Sequence, residues 1–353
     1  MGRTAQQPST LLVMRFSAMG DVAMTVPVIV QLLQHYPALQ VVMVSDKKWA
    51  PLFENIPRLT FYPADLRGLH KGFFGLRELY RSLRSFRISA VADLHRVLRS
   101  RVMDLFFSVG GYKVSVLDKG RPEKRRLTRK RGKVLQPLRA TVQRYADVFA
   151  ALGFPFPLRE DVAPLRPPVL RPELAAKLPE KGTRRWVGIA PFARHPEKTY
   201  PPEKMQEIVG SLALREDLQL LLFGGGSAEV QRLEEWAARY PGVCSTAGKY
   251  SLEDELAIIG RLSLMISMDS ANMHLAALFG VPVISIWGAT HPYAGFRAFG
   301  QPEENRVQIA LYCRPCSVFG NVPCYRGDHA CMEQLPPALV LQRVNAVLDG
   351  NVS

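Results

Sequence analysis

Short runs of uninterrupted apolar residues alternate along the chain with stretches in which apolar positions recur every three or four residues. Runs at 11–15, 41–45, 90–94, 186–190, 218–223, 264–267 and 283–287 have the length and continuity of strands buried on both faces. Between them, 202–214, 228–239 and 252–261 carry the helical period, and 27–33 reads as the opening of a helix. This alternation predicts parallel sheets covered by helices on both faces. The segment "FPFPLREDVAPLRPPVLRPE" (154–173) holds too many prolines to sustain either element. It predicts a boundary near the middle, with one doubly wound α/β domain over 1–160 and a second over 161–353.

At 353 residues, 47% of them hydrophobic, the chain has material for two domains with cores of their own. No apolar run approaches the roughly 20 residues that cross a bilayer. The start "MGRTAQQPST" lacks the charged-then-apolar order of a signal peptide, and Gln6 stands where myristoylation of Gly2 needs Ser or Thr. These features point to the cytoplasm. The formal charge of +15 is unevenly placed: residues 1–144 hold 26 Lys and Arg against 9 acids, residues 145–353 hold 20 against 22. Most of the excess lies in 67–87 and 113–144. It predicts an anionic partner for the N-terminal half, whether nucleic acid, an acidic membrane surface or a phosphorylated substrate. For the second stretch a solvated charged loop is the alternative.

In open parallel sheets, ligands bind beyond the carboxyl ends of the strands, so polar residues there are the candidates for chemistry. In "MRFSAMGDVAMTVPV" (14–28) the first strand hands over to a helix through Gly20 and Asp21. Asp21 either caps that helix or lies where a reaction is carried out. Asp269 and Ser270 end the run at 264–267 and open a helix whose free N–H groups would receive a pyrophosphate. Arg194 and Lys198, in the loop after 186–190, would supply cations to the same group. "FGGGSAEVQRL" (223–233) lacks G-x-G-x-x-G spacing, since Ala228 and Glu229 stand where the last glycine belongs, which argues against a nicotinamide cofactor. Its glycines would let the loop approach a nucleotide closely, with Glu229 a candidate ribose ligand. "DLHRVLRS" (93–100) sets His95, Arg96 and Arg99 at a helix start, and guanidinium groups suit carboxylates and phosphates. Cys313, Cys316, Cys324 and Cys331 form a C-x2-C-x7-C-x6-C cluster, read either as a structural zinc site or as packed, reduced thiols.

"RFSAMGDVAMTVPV", "ADLHRVLRS", "EKTYPPEKMQEIV" and "GKYSLEDELAIIGRLSLMISMDSANMHLAALFGVPVISIWGATHP" together resemble, in order and spacing, glycosyltransferase family 9, the ADP-heptose:lipopolysaccharide heptosyltransferases. The resemblance spans 11–292. It implies a GT-B enzyme: two Rossmann-like doubly wound domains facing each other across a cleft, the first binding acceptor and the second the nucleotide sugar, with no cofactor and no catalytic metal. It implies an inverting transfer in which Asp21 is the general base and Lys198 contacts the diphosphate. Asp269 would lie near sugar or ribose hydroxyls, Ser270 and the following N–H groups at phosphate, and Arg99 at the acceptor. Arg194 joins the nucleotide-sugar residues. His274 matches either a phosphate contact or a structural histidine, and Tyr250 either the adenine pocket or core. The family's acid in the 223–233 loop aligns with Glu229 only to within one residue.

The partners so implied are ADP-heptose and a lipopolysaccharide core acceptor, a Kdo or heptose carried on lipid A. The acceptor is met at the cytoplasmic face of an anionic inner membrane. That contact accounts for the N-terminal charge without nucleic acid. Two alternatives stand beside it: another nucleotide sugar or acceptor on the same fold, or a non-catalytic basic protein that binds membranes or nucleic acid. The stretch 121–133 lacks the interleaved aromatics that stack on bases.

Overall fold

Each of the seven apolar runs forms a strand. The structure, a computed structural model, describes residues 9–350; the readings made on Gly2 and Gln6 lie outside the described residues. The strands are β1 (Thr10–Met14), β2 (Gln40–Asp46), β3 (Leu59–Ala64), β4 (Ala90–Asp93), β5 (Lys113–Val116), β6 (Arg185–Ala190), β7 (Leu218–Leu222), β8 (Val243–Ser245), β9 (Leu264–Met268), β10 (Val283–Ile286) and β11 (Arg306–Val307). Among the described residues they make two sheets, ordered β3-β2-β1-β4-β5 and β11-β10-β9-β6-β7-β8, with every pairing parallel. At the centre of the first, Leu12 stands between Val42 and Val91; at the centre of the second, Ile189 lies beside Leu222 and Ile266.

The four strands that the apolar pattern does not announce, β3, β5, β8 and β11, are the four edges of the two sheets. An edge strand is covered less completely and need not be apolar throughout. β3 even carries Pro63, which a sheet tolerates only where no ladder donor is needed. The helical stretches appear as Pro202–Ala213, Ser227–Arg239 and Leu252–Ile259, and the helix opening expected at 27–33 begins earlier, as Thr25–His35. Helix Gly72–Leu83 lies inside the first basic stretch, with Gly75, Leu76, Leu79 and Leu83 as its buried stripe.

The chain divides into two compact units. One holds the described residues up to Lys119 together with Thr141–Arg159; the other holds Gly120–Ala140 together with the described residues from Glu160 onward. The junction at 159/160 lies in the proline-rich segment, but 120–140 leaves the first unit and packs with the second. The second basic stretch is therefore not a solvated loop throughout. It contains β5 and then helix Arg121–Leu127, in which Leu127 is fully buried and the Lys124 ammonium lies 4.4 Å from the centre of the Phe296 ring. Beyond that helix, Lys133 Nζ donates to the carbonyls of Cys313 (2.7 Å) and Pro315 (2.9 Å). Arg125, Arg126, Arg129, Lys130 and Arg131 remain exposed. No helix among the described residues is long and apolar enough to cross a membrane.

Lys133→Ala leaves two partly buried carbonyls without a donor, and its expected effect is a loss of about 1–3 kcal/mol from the stability of the second unit. The exposed pair Arg129→Ser and Arg131→Ser serves as the control and changes stability by less than about 0.5 kcal/mol each. Urea denaturation of the three variants separates the outcomes, and equal effects would mean that Lys133 is not a clasp.

Candidate active site

In the first unit the site is built at the carboxyl ends of β1 and β4. Asp21 lies in the first turn of helix Met19–Ala23, whose cap position is Ala18, and it caps nothing. Its Oδ2 instead meets Arg15 Nη2 at 2.5 Å, with the arginine side chain buried and the carboxylate about a quarter exposed. Arg15 is fixed in turn: Nη1 donates to the Leu94 carbonyl at 2.7 Å, and the guanidinium lies 6.0 Å from the centre of the Tyr145 ring. Tyr145 closes the arrangement by donating its hydroxyl to the Asp21 carbonyl at 3.3 Å. Asp21 is thereby oriented through one oxygen, while no group among the described residues holds Oδ1. Arg15, not singled out by the patterns above, has one sequence signal: a cation closing an otherwise apolar strand directly before the Gly-Asp turn.

The 93–100 segment is organised by a buried acid. Asp93, at the end of β4, accepts from the backbone N–H groups of His95 (2.7 Å) and Arg96 (2.9 Å) and from the Ser100 hydroxyl (2.7 Å). These bonds hold Arg96 in the left-handed region at φ 50°. Asp104, on helix Leu98–Val109, hydrogen-bonds to Asp93, and burial together with that neighbouring carboxylate pushes it up to about 8, so Asp104 keeps its proton at neutral pH. His95 is buried, pushed down to about 3 by desolvation and by Arg15, and its Nδ1 accepts from Phe16 N at 3.4 Å. His95 is therefore neutral and turned inward onto the Phe16 amide. Arg96 is spent on the Leu117 carbonyl at 3.2 Å. Arg99 alone of the three presents an exposed side chain without a partner among the described residues.

In the second unit the carboxyl ends of β6, β9 and β10 gather Lys198, Asp269, Ser270 and Thr290. Lys198 Nζ meets Asp269 Oδ2 at 2.9 Å with both side chains largely buried, and Thr290 Oγ1 donates to the same oxygen at 2.8 Å. Ser270 precedes helix Ala271–Leu278 in extended conformation; its hydroxyl pairs with Ser267 Oγ at 3.1 Å and makes no cap to the helix. His274 is buried one turn into that helix. Asp269 thus serves first to compensate the lysine and to fix its position.

Arg194 and Glu229 make none of these contacts. They line a cavity of about 380 Å³ with Phe192, Tyr200, Arg232 and His329, and Lys198 does not border it. Glu229 turns one oxygen onto its own loop, accepting from Gly225 N at 2.8 Å, so its carboxylate braces the glycine turn. Tyr250 is half-buried, with its hydroxyl directed at the Lys177 carbonyl at 3.4 Å.

The cysteine-rich segment builds the back of the Lys198 site. Arg314, buried, donates to the carbonyls of Gly288 (2.5 Å) and Thr290 (3.0 Å), and Cys316 N donates to Ala289 at 2.8 Å, which pins the loop that carries Thr290. Gly320, at φ +73°, lies against the lysine stem; a Cβ there would stand 2.6 Å from Lys198 Cδ. Cys313 and Cys331 are buried, Cys331 within the core beside Met332 and Leu335, and burial pushes Cys316 and Cys331 up to about 11. Among the described residues no group of three or more His, Cys, Asp or Glu is arranged to hold a metal ion.

A family model for glycosyltransferase family 9 (heptosyltransferase) matches residues 76–322. The chain belongs to this family. The lipopolysaccharide core heptosyltransferase OpsX of Haemophilus influenzae is 23% identical to it over 302 residues, 81% of each chain. Among solved structures, a family 9 glycosyltransferase from Veillonella parvula superimposes with a TM-score of 0.76 at 18% identity, covering 99% of this chain and 100% of its own. The E. coli ADP-heptose lipopolysaccharide heptosyltransferase II gives 0.69 at 20% identity, covering 97% and 99%. These likenesses establish the fold, and family membership makes the protein a glycosyltransferase.

Two predictions follow the geometry. Gly320→Ala forces the Lys198 stem aside, and a displacement of about 1 Å at a positioned group lowers turnover by about 10²-fold. In a Lys198→Ala background the same change adds little, and a full additional loss there would show that Gly320 acts elsewhere. For Asp104, the folded protein keeps the proton to about pH 8 whereas the unfolded chain releases it near 3.8. The unfolded state therefore binds fewer protons between these limits, and this group's contribution to stability falls as pH rises from about 4 to 8. Asp104→Asn, whose amide still donates to Asp93, removes that component of the slope. Denaturation midpoints at pH 5 and pH 8 test it, and an unchanged slope would place the proton elsewhere.

Proposed function

We propose that the protein transfers a heptose from ADP-heptose to a sugar of the lipopolysaccharide inner core, with inversion at C1. The observation that carries this reading is the Arg15–Asp21 pair: a carboxylate lifted out of the capping role, oriented through one oxygen and open at the other. Asp21 Oδ1 accepts the proton of the acceptor hydroxyl as that oxygen attacks C1. The C1–O bond to the diphosphate breaks, its electron pair leaves on the β-phosphate of ADP, and Lys198 offsets the charge that develops there. Ser270 and the N–H groups of the helix that follows hold phosphate oxygens. Arg99 meets an anionic group of the acceptor.

The choice of donor is supported by family membership and by the likeness to a heptosyltransferase whose name specifies ADP-heptose. The acceptor and its place at the cytoplasmic face of an anionic membrane are supported by the similarity to a lipopolysaccharide core heptosyltransferase and by the basic first half of the chain. The rival picture of a non-catalytic basic binding protein is weakened, since Lys124 and Lys133 in the 121–133 stretch are engaged in packing the second unit.

Asp21→Asn is expected to lower ADP release from ADP-heptose and truncated core acceptors by about 10²–10⁴-fold. The asparagine oxygen still accepts from Arg15, so melting temperature and affinity for ADP-heptose remain close to those of the parent. Turnover within a few-fold of the parent would sink the general-base role. A loss of stability in proportion to activity would assign Asp21 to the fold.

A further inference from the structure

We infer that the outer face formed by helices Gly72–Leu83 and Leu98–Val109 in the first unit docks on the surface of an anionic lipid bilayer. This rests on the reading above that the acceptor sugar is lipid-linked. A helix packed on a sheet normally turns apolar residues inward and polar ones outward. Here both faces are apolar in part. Helix Gly72–Leu83 buries Gly75, Leu76, Leu79 and Leu83, yet its first turn presents Phe73 and Phe74 to solvent, the latter 81% exposed. Helix Leu98–Val109 buries Met103 and Phe107, yet Leu98, Leu105 and Val109 recur along its outer side, with Leu98 79% and Val109 82% exposed.

These positions form one surface. Phe73 packs edge-on against Phe106, at 5.4 Å between ring centres, and so joins the first helix to the turn that carries Leu105 and Val109. Exposed Leu69 is drawn onto the same corner because Gly75 has no side chain: a Cβ there would stand 2.8 Å from the Leu69 carbonyl oxygen. An apolar patch of this kind on a folded unit marks a binding surface.

The charge around the patch names the partner. Arg67, Lys71, Arg77, Arg81, Arg84 and Arg101 are all exposed. Glu78 is the single acid in 67–87, and it is taken up by Arg81 at 3.7 Å. Aromatic and aliphatic side chains that enter the headgroup boundary, ringed by cations that meet anionic headgroups, are the two components of interfacial binding. A second copy of this chain fits less well, because a two-fold contact would set like charges against like. A nucleic acid would engage the cations and stack on the phenylalanines but leave Leu98, Leu105 and Val109 in water. The other basic stretch, 121–133, lacks such a patch and gives part of its charge to internal contacts.

The test uses the full-length protein and vesicles of phosphatidylethanolamine with phosphatidylglycerol, against phosphatidylcholine alone, in flotation at low and high salt. The parent is expected to float with the anionic vesicles only, and less at high salt. Phe73→Ser with Phe74→Ser, and separately Leu105→Ser with Val109→Ser, are expected to reduce binding by about tenfold or more with unchanged melting temperature. Arg129→Ser with Arg131→Ser leaves binding as it was. Retained binding in both apolar double variants overturns the assignment, as does a parent that ignores anionic vesicles. It is equally overturned if the variants abolish self-association in sedimentation or RNA retention while vesicle binding persists. ADP release with a delipidated, water-soluble core oligosaccharide is run in parallel and stays equal in parent and variants. If that activity is absent while vesicle binding behaves as expected, the substrate assignment falls and the docking surface stands.

Discussion

A buried ammonium must be compensated, and the second unit is arranged around that requirement at Lys198. Lys198 is largely withdrawn from water, so an isolated ammonium there would be unfavourable by several kcal/mol. Asp269 compensates it, Thr290 holds Asp269, Arg314 holds the carbonyl of Thr290, and Gly320 leaves room for the lysine stem. Each link is buried or nearly so, and each fixes the next. The cation is therefore held in one orientation, which is the condition under which a fixed charge stabilises developing charge better than water does.

The first unit solves the converse problem with the same topology. Both sheets are wholly parallel, so their strands deliver polar side chains at one edge only, and a buried arginine at the end of β1 does for Asp21 what Asp269 does for Lys198. Asp21 and Lys198 are each supported by an opposite charge that is more deeply buried. Arg15 is held through a backbone carbonyl, that of Leu94, and Asp269 through a side-chain hydroxyl, that of Thr290.

What could be read from the amino-acid order follows burial. Central strands announce themselves because both faces are covered; β3, β5, β8 and β11 do not, because an edge strand can be short, can carry a proline, and shows no continuous apolar run. Asp21, Lys198 and Asp269 were legible as polar residues at strand ends. Their partners Thr290, Arg314 and Gly320 were not, since they come from loops that only the folded chain brings near. The charged stretches misled most. In 67–87 the arginines hide an amphipathic helix, and in 121–133 a basic composition conceals Lys133, whose ammonium is half-buried between two carbonyls. Charge counted along a chain does not distinguish a cation facing solvent from one that bridges backbone.

That bridge also bears on how the chain is made. Lys133 and its carbonyl partners at Cys313 and Pro315 lie 180 and 182 residues apart. A ribosome releases the first member long before the second. During synthesis the 120–140 segment must wait, positively charged and without these partners, while the strands of the second sheet emerge, and the strap closes only when the cysteine-rich segment arrives. Contacts of such long span carry a large closure entropy and form late. The second unit therefore completes itself at the end of translation, and a chain that stops before residue 313 carries the Lys133 end of this fastening without the carbonyls that receive it.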